Sequence, residues 1–156
     1  MIIEKHVLGP IPLPGNENFD VAELEFYGIN HFRPSYSTRV FLNDKKVSKA
    51  VCDTDRASYA GGFSIFGHAT CAGDVGHCCV PSTQRRFDTR PSHPLTKAFK
   101  RIDITQALMR VIDEGSEELI VTVLASCEDE EFEGKNLLDL QGVQLVTHDY
   151  CTSASY

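Results

Sequence analysis

Residues 21–26 read VAELEF, and this short stretch decides the fold class. Apolar and acidic side chains alternate along it, in the order Ala22, Glu23, Leu24, Glu25 and Phe26. A period of two places the apolar side chains on one face of an extended strand and the carboxylates on the other. Such a half-buried strand is typical of an antiparallel sheet that has one face in the core and one in water.

Similar segments recur along the chain between turn residues. Further strands are predicted at residues 38–42, 47–51, 63–66, 118–127 and 143–146. Short strands at this spacing are typical of small all-β domains with about seven strands. The sequence therefore predicts an all-β fold, an antiparallel β-sandwich or barrel with one short helix.

The helix is predicted within residues 103–115, DITQALMRVIDEG. Asp103 and Gln106 fit a capping box at its start, and Gly115 can end its last turn. An apolar stripe between these ends consists of Leu108, Val111 and Ile112. The pattern indicates a short amphipathic helix that packs one face on the sheets.

The chain has 156 residues, of which 42% are hydrophobic, which is enough for one domain with a core. Residues 1–20 are predicted to be an extended N-terminal arm, irregular from residue 7 because residues 7–19 hold three prolines and two glycines. Residues 21–147 are the predicted β-sandwich, with an insertion at 67–94. Residues 148–156 are a C-terminal tail.

The insertion begins with residues 67–79, GHATCAGDVGHCC, which hold two histidines and three of the six cysteines. Thiolate and imidazole are the ligands that Cu(I) and Zn(II) select, and glycines let a short backbone fold around an ion. The spacing matches no standard zinc pattern. The sequence predicts a soft-metal site for Cu(I), or alternatively for zinc. The candidate ligands are His68, Cys71, His77, Cys78 and Cys79, with His93 from the loop that follows.

The same residues allow two other interpretations. Disulfide bridges would pin the long loop of a non-catalytic interaction or structural domain. A cysteine-dependent enzyme would use Cys78 as nucleophile, His77 as base and Asp74 to orient the imidazole. Neighbours in an extended chain point apart, and a glycine-rich loop preorganises a site poorly, so no catalytic residue is predicted.

Charge and hydropathy limit the partners. The net charge of −7 argues against binding the phosphate backbone of nucleic acid, which needs a basic face. No run of eighteen apolar residues is present, so no membrane span is predicted. The N-terminal segment has no signal-peptide pattern, which predicts a cytoplasmic location with reduced thiols, or secretion if a signal peptide was removed. Open sheet edges would allow a homo-oligomer.

Five segments follow one another in a familiar order, namely residues 22–32 (AELEFYGINHF), 37–43 (STRVFLN), 60–68 (AGGFSIFGH), 95–108 (LTKAFKRIDITQAL) and 119–127 (LIVTVLASC). This order resembles the C-terminal β-sandwich domain that follows the copper domain in molluscan hemocyanins and related tyrosinase-like polyphenol oxidases. The most specific match is AFKRIDIT at residues 98–105, against the family's AFDR-YDIT. The glycine-rich GTF-V-LGG turn of the family corresponds to residues 62–67. The resemblance spans residues 21–147.

The departures from this family shape the functional expectation. The long insertion replaces a short turn of the family. The dicopper centre of the family lies on a separate helical domain with histidines at helical spacing, and this sequence contains no H-x3-H pair. The resemblance therefore implies no phenol oxidation by this chain alone. It implies a standalone sandwich that acts as a copper-binding accessory protein, like the metallation helpers of some tyrosinases, and serves a copper oxidase partner.

Overall fold

The computed structural model describes residues 1–14, 19–48, 50, 54–68, 96–132 and 136–149. Within these residues, eight strands form two antiparallel sheets, and one α-helix accompanies them. The apolar faces of the two sheets share one core. The predicted all-β sandwich is confirmed.

The first sheet has five strands. Its order is β1 (Ile2–Pro12), β7 (Glu118–Cys127), β3 (Tyr36–Leu42) and β4 (Tyr59–Gly61), and β5 (Ser64–Ile65) also pairs with β3. The central strand β7 is the continuous β-branched run expected at 118–127, and it is buried at most of its positions. Because β7 pairs with β1 on one side and β3 on the other, it holds this sheet together.

The second sheet has three strands, in the order β6 (Ala98–Asp103), β2 (Val21–Ile29) and β8 (Gly142–His148). Side chains along β2 alternate between buried and less buried positions, as predicted. Ala22, Leu24 and Phe26 have no exposed surface and lie in the common core with Val121 and Val123 of β7. The burial of this face joins the two sheets.

Helix α1 (Thr105–Asp113) packs its Ala107, Leu108 and Val111 side chains on the core. Its end follows the prediction, since Gly115 has a φ of 76° and its N–H donates to the Ile112 carbonyl at 2.8 Å.

The start of α1 differs from the predicted capping box. Ile104 is the N-cap and makes no side-chain cap. The Asp103 carboxylate instead accepts from the Thr105 N–H at 2.9 Å, and the Thr105 hydroxyl accepts from the Ala22 N–H at 2.9 Å. The helix start is therefore fastened to β2 by a tertiary contact.

The N-terminal arm is more regular than the sequence predicted. Residues 7–12 continue strand β1, which pairs with β7 from Ile2 to Pro12. The register shifts between Leu8 and Ile11, where the chain passes Pro10. Proline is tolerated there because β1 is an edge strand and the shift removes the need for a donor.

The limits of other strands also differ from those predicted from the sequence. Ser48 makes only an isolated β-bridge in the described part of the predicted strand 47–51, and residues 49 and 51 lie outside the description. Strand β5 is shorter than the predicted 63–66. Strands β4 and β6 had not been predicted, because neither shows a strong alternation of its own.

His6 on β1 is a partly buried titratable group. Its side chain is 19% exposed, and its Nε2 atom lies 3.5 Å from a Glu4 carboxylate oxygen. Burial lowers the pKa of His6 from 6.5, and the Glu4 charge opposes this in part. The unfolded chain therefore binds a proton more readily than the folded chain, so stability is lost as the pH falls through the unfolded pKa.

Replacing Phe26 by alanine tests the role of the β2 face. We expect the free energy of unfolding in urea to fall by about 3–5 kcal/mol, because a fully buried ring is lost. The matched control is Phe99→Ala on β6, where the ring is 52% exposed, and its loss should be less than half as large. Equal losses in the two variants would contradict this account of the core.

The His6 site gives a pH prediction. Between about pH 7.5 and about pH 5.5, the urea midpoint of the wild-type protein should fall more than that of a His6→Gln variant, because only the wild type gains a proton at this position on unfolding. The measurement is urea unfolding at the two pH values. Parallel shifts in both proteins would contradict it.

Candidate metal-binding site

One predicted ligand, His68, lies within the described residues. It lies three residues beyond the end of the short strand β5, close to the strand end where a ligand was expected. The other five predicted ligands, Cys71, His77, Cys78, Cys79 and His93, lie outside the described residues. The described structure therefore shows how the chain enters the predicted metal loop.

Thr38 of β3 fixes the chain that leads to His68. Its N–H and its hydroxyl both donate to the Phe63 carbonyl at 2.8 Å, and the hydroxyl accepts from the Phe63 N–H at 3.0 Å. A side chain at Gly62 would collide with the Thr38 carbonyl. Glycine at this position allows the close approach, and the resulting contacts hold the β4–β5 segment on β3.

Two further contacts fix the backbone at His68 itself. Its N–H donates to the His31 carbonyl at 2.7 Å, and the Gly67 N–H donates to the Ser35 hydroxyl at 3.0 Å. A Cβ atom at Gly67 would overlap the backbone of Arg33 and Pro34. The residues before the predicted metal loop are thus packed against the β2–β3 loop, residues 30–35.

The β2–β3 loop is in turn anchored to Asp139. The Asn30 side-chain amide donates to the Asp139 carboxylate at 2.9 Å, and the Arg33 guanidinium lies 3.2 Å from the same oxygen. These partners, Asn30 first, hold the pKa of Asp139 below its usual value. The Asn30 N–H also donates to the Asp139 carbonyl at 2.8 Å. The loop is therefore held by both the backbone and the side chain of one residue.

His31 is the residue that the sequence-based reasoning missed. The centroids of the His31 and His68 rings lie 5.3 Å apart, with an angle of 81° between the ring planes. The Nε2 atom of His31 is buried and has no hydrogen-bond partner among the described residues. No sequence spacing could have indicated the pair, because it forms by tertiary packing between residues 37 positions apart.

Aromatic rings surround the histidine pair. Phe66 contacts the His68 ring at a centroid distance of 5.5 Å, and Phe32 contacts the His31 ring at 5.7 Å. Phe66 is 79% exposed and Phe32 is 47% exposed. We call these four residues the His/Phe cluster. It presents both imidazole and exposed apolar surface at the mouth of the predicted loop.

An open groove of about 690 Å³ lies beside the cluster, and its lining includes Tyr36, Ser64, Phe66 and Cys127. The Tyr36 hydroxyl is buried, and burial raises its pKa well above the usual value. The Cys127 thiol is buried and accepts from the Asp129 N–H at 3.3 Å. Both residues contribute to the groove lining, although their side chains are almost fully buried.

Two negative findings concern the described part of the chain alone. Within it, no group of three or more His, Cys, Asp or Glu side chains is arranged to hold a metal ion. Its helical residues contain no segment with the length and hydropathy of a membrane span.

Comparisons with known proteins identify the fold. No protein-family model matches the chain, and no curated protein sequence matches it significantly. Among solved structures, the chain resembles a recombinantly expressed latent aurone synthase (polyphenol oxidase) co-crystallized with hexatungstotellurate(VI), at a TM-score of 0.50 and 18% identity. The match covers 94% of this chain and 24% of the polyphenol oxidase chain. A latent aurone synthase from natural source matches at a TM-score of 0.49 and 20% identity, with the same coverage.

These likenesses support the fold and leave the activity open. This chain spans about a quarter of the polyphenol oxidase chain that it resembles. The β-sandwich expected from the sequence resemblance therefore has a counterpart in one region of a polyphenol oxidase structure.

Replacing Asp139 by alanine should loosen the β2–β3 loop. We expect the backbone amide of His68 to exchange with solvent about 5–30 times faster, because loss of a charge-assisted contact costs about 1–2 kcal/mol. Hydrogen exchange followed by NMR measures this rate. The control is Asp113→Ala at the exposed end of α1, which should leave the rate unchanged. An unchanged rate in Asp139→Ala would show that the loop does not depend on this anchor.

Proposed function

We propose that this chain is a copper-binding accessory protein whose insertion at residues 67–94 holds Cu(I) for transfer to a copper oxidase. The observation that carries the proposal is the fixed position of His68. Hydrogen bonds from the backbone N–H groups of His68 and Gly67 fix the backbone of this residue at the entrance of the cysteine-rich segment. A rigid first ligand reduces the entropy lost when the others close on an ion.

The remaining proposed ligands are Cys71, His77, Cys78, Cys79 and His93. Two or three thiolates with an imidazole suit Cu(I) better than a hard cation, and zinc is the alternative ion. Thiolate ligands can pass from one protein to another by exchange, which suits a carrier. The role requires reduced cysteines, which a cytoplasmic location would provide.

Support for an oxidase partner comes from the fold and from the sequence resemblance. The sandwich is similar to a region of a polyphenol oxidase structure. In the family that the sequence resembles, this domain follows a copper domain. We propose that the partner is a tyrosinase-like or other copper oxidase, and that this chain binds it through the sandwich.

A second candidate is a non-catalytic interaction domain whose long loop is pinned by disulfides. The specific observation in its favour is the exposed Phe66 beside the open groove, because a large exposed ring is typical of a protein-binding surface. This role needs no metal. It predicts almost no reactive thiol in the native protein.

The test is an anaerobic Cu(I) titration of the reduced protein against a competing chelator. Tight binding should weaken at least about 100-fold when Cys71, Cys78 and Cys79 are all changed to serine, because two or three thiolate ligands are lost. The matched control is Cys127→Ala, which removes a buried thiol that is not among the proposed ligands. It should bind Cu(I) like the wild type.

The opposite result would favour the second candidate. Equal Cu(I) affinity in the wild type and the triple serine variant would remove the loop cysteines from any copper site. A thiol titration of the native protein then decides whether they are bridged.

A further inference from the structure

We infer that His31 and His68 form a two-imidazole site for a borderline divalent metal ion such as Zn(II) or Cu(II). His31 lies on the β2–β3 loop, outside the cysteine-rich segment. The inference deepens the proposed function, since His68 belongs to both sites. It stands on the described geometry of the two histidines and needs no cysteine.

The first argument is the spacing of the two rings. An imidazole nitrogen lies about 2.0 Å from a bound zinc ion, which puts the ion about 3.2 Å from the ring centre. Two rings that share an ion then have centres about 5.2 Å apart at a tetrahedral angle, which suits zinc, and about 4.5 Å apart at the right angle of a tetragonal Cu(II) site. The observed distance between the His31 and His68 centroids is 5.3 Å. The centroid separation therefore fits a shared ion with a near-tetrahedral angle between the two rings.

The second argument is the state of the His31 ring. Its Nε2 atom is buried without a hydrogen-bond partner among the described residues. A buried polar atom without a partner costs about 1–3 kcal/mol, and such an atom in a native structure calls for an explanation. A neutral imidazole nitrogen with an unused lone pair is a good ligand for copper, zinc or nickel. Metal binding would satisfy this atom.

The third argument is preorganisation. The His68 N–H donates to the His31 carbonyl, so the backbones of the two ligands are joined directly. Gly67 packs on Arg33 and Pro34, and Asp139 holds the loop through Asn30 and Arg33. Neither backbone can move far without breaking these contacts. A site built on such a frame loses little freedom when it binds an ion.

An edge-to-face pair of rings at this distance is also an ordinary aromatic contact. The two explanations differ in what they require of residue 31. Packing requires a ring, whereas metal binding requires a nitrogen atom. A His31→Phe variant keeps the ring and removes the nitrogen, so it separates them.

The experiment uses Cu(II) alone as the probe, in the full chain with Cys71, Cys78 and Cys79 changed to serine. We expect this parent to bind Cu(II) with nitrogen couplings in its EPR spectrum. His31→Phe and His68→Phe should each remove one coupled nitrogen and weaken binding at least about tenfold. His148→Gln, which changes a half-exposed imidazole on β8 beside Glu23, should change neither quantity.

A second measurement distinguishes loss of the metal site from misfolding of a variant. Cu(II) should raise the melting temperature of the parent and of His148→Gln, and should raise that of His31→Phe much less. If His31→Phe binds Cu(II) like His148→Gln, or if the parent binds none, the two-imidazole site is overturned. Neither result decides whether the loop cysteines bind Cu(I), because the separate Cu(I) titration tests that proposal. The two-imidazole site and the proposed function can therefore be disproved independently.

Discussion

The burial of one face of β2 against β7 is the interaction on which the structure depends. Leu24 and Phe26 have no exposed surface, and they share a core with Val121 and Val123. Because side chains alternate along a strand, a shift of one residue in β2 would bring glutamates into this core. The apolar face therefore fixes the pairing of β2 with β6 and β8, and with it the second sheet.

That constraint also places the histidine pair. Strand β2 ends at Ile29, which is fully buried, so the following loop begins at a fixed point. Asp139 precedes β8, the partner of β2, and holds the loop from that side. On the other sheet, Thr38 holds Phe63 and so directs β5 toward the same corner. His31 and His68 meet because the core brings these two corners together.

The sequence predicted the parts of this arrangement that depend on local pattern. The alternation at 21–26 and the apolar run at 118–127 identified the strands of the core, and Gly115 identified the end of the helix. The contacts at the start of α1 could not be predicted from local pattern, because Thr105 is hydrogen-bonded to Ala22, which is far away in the sequence. Strand β1 was obscured by its prolines, which an edge strand tolerates. Of the candidate site, His68 was predicted at a strand end, and His31 was not, since only folding brings it near.

The fixed histidines and the cysteine-rich segment would play different parts in a metal carrier. Backbone hydrogen bonds hold His68 and Gly67 on the β2–β3 loop, so exchange of the ion with a partner would begin at other ligands. Thiolates suit this step, because they bind Cu(I) tightly and pass it on by ligand exchange. Imidazoles accept copper in either oxidation state, whereas thiolates favour the reduced ion. The His31 and His68 nitrogens at the entrance of the loop would keep an ion bound while the thiolates exchange ligands with a partner protein. In the proposed role, the rigid corner of the sandwich thus supplies retention, and the cysteine-rich segment supplies transfer.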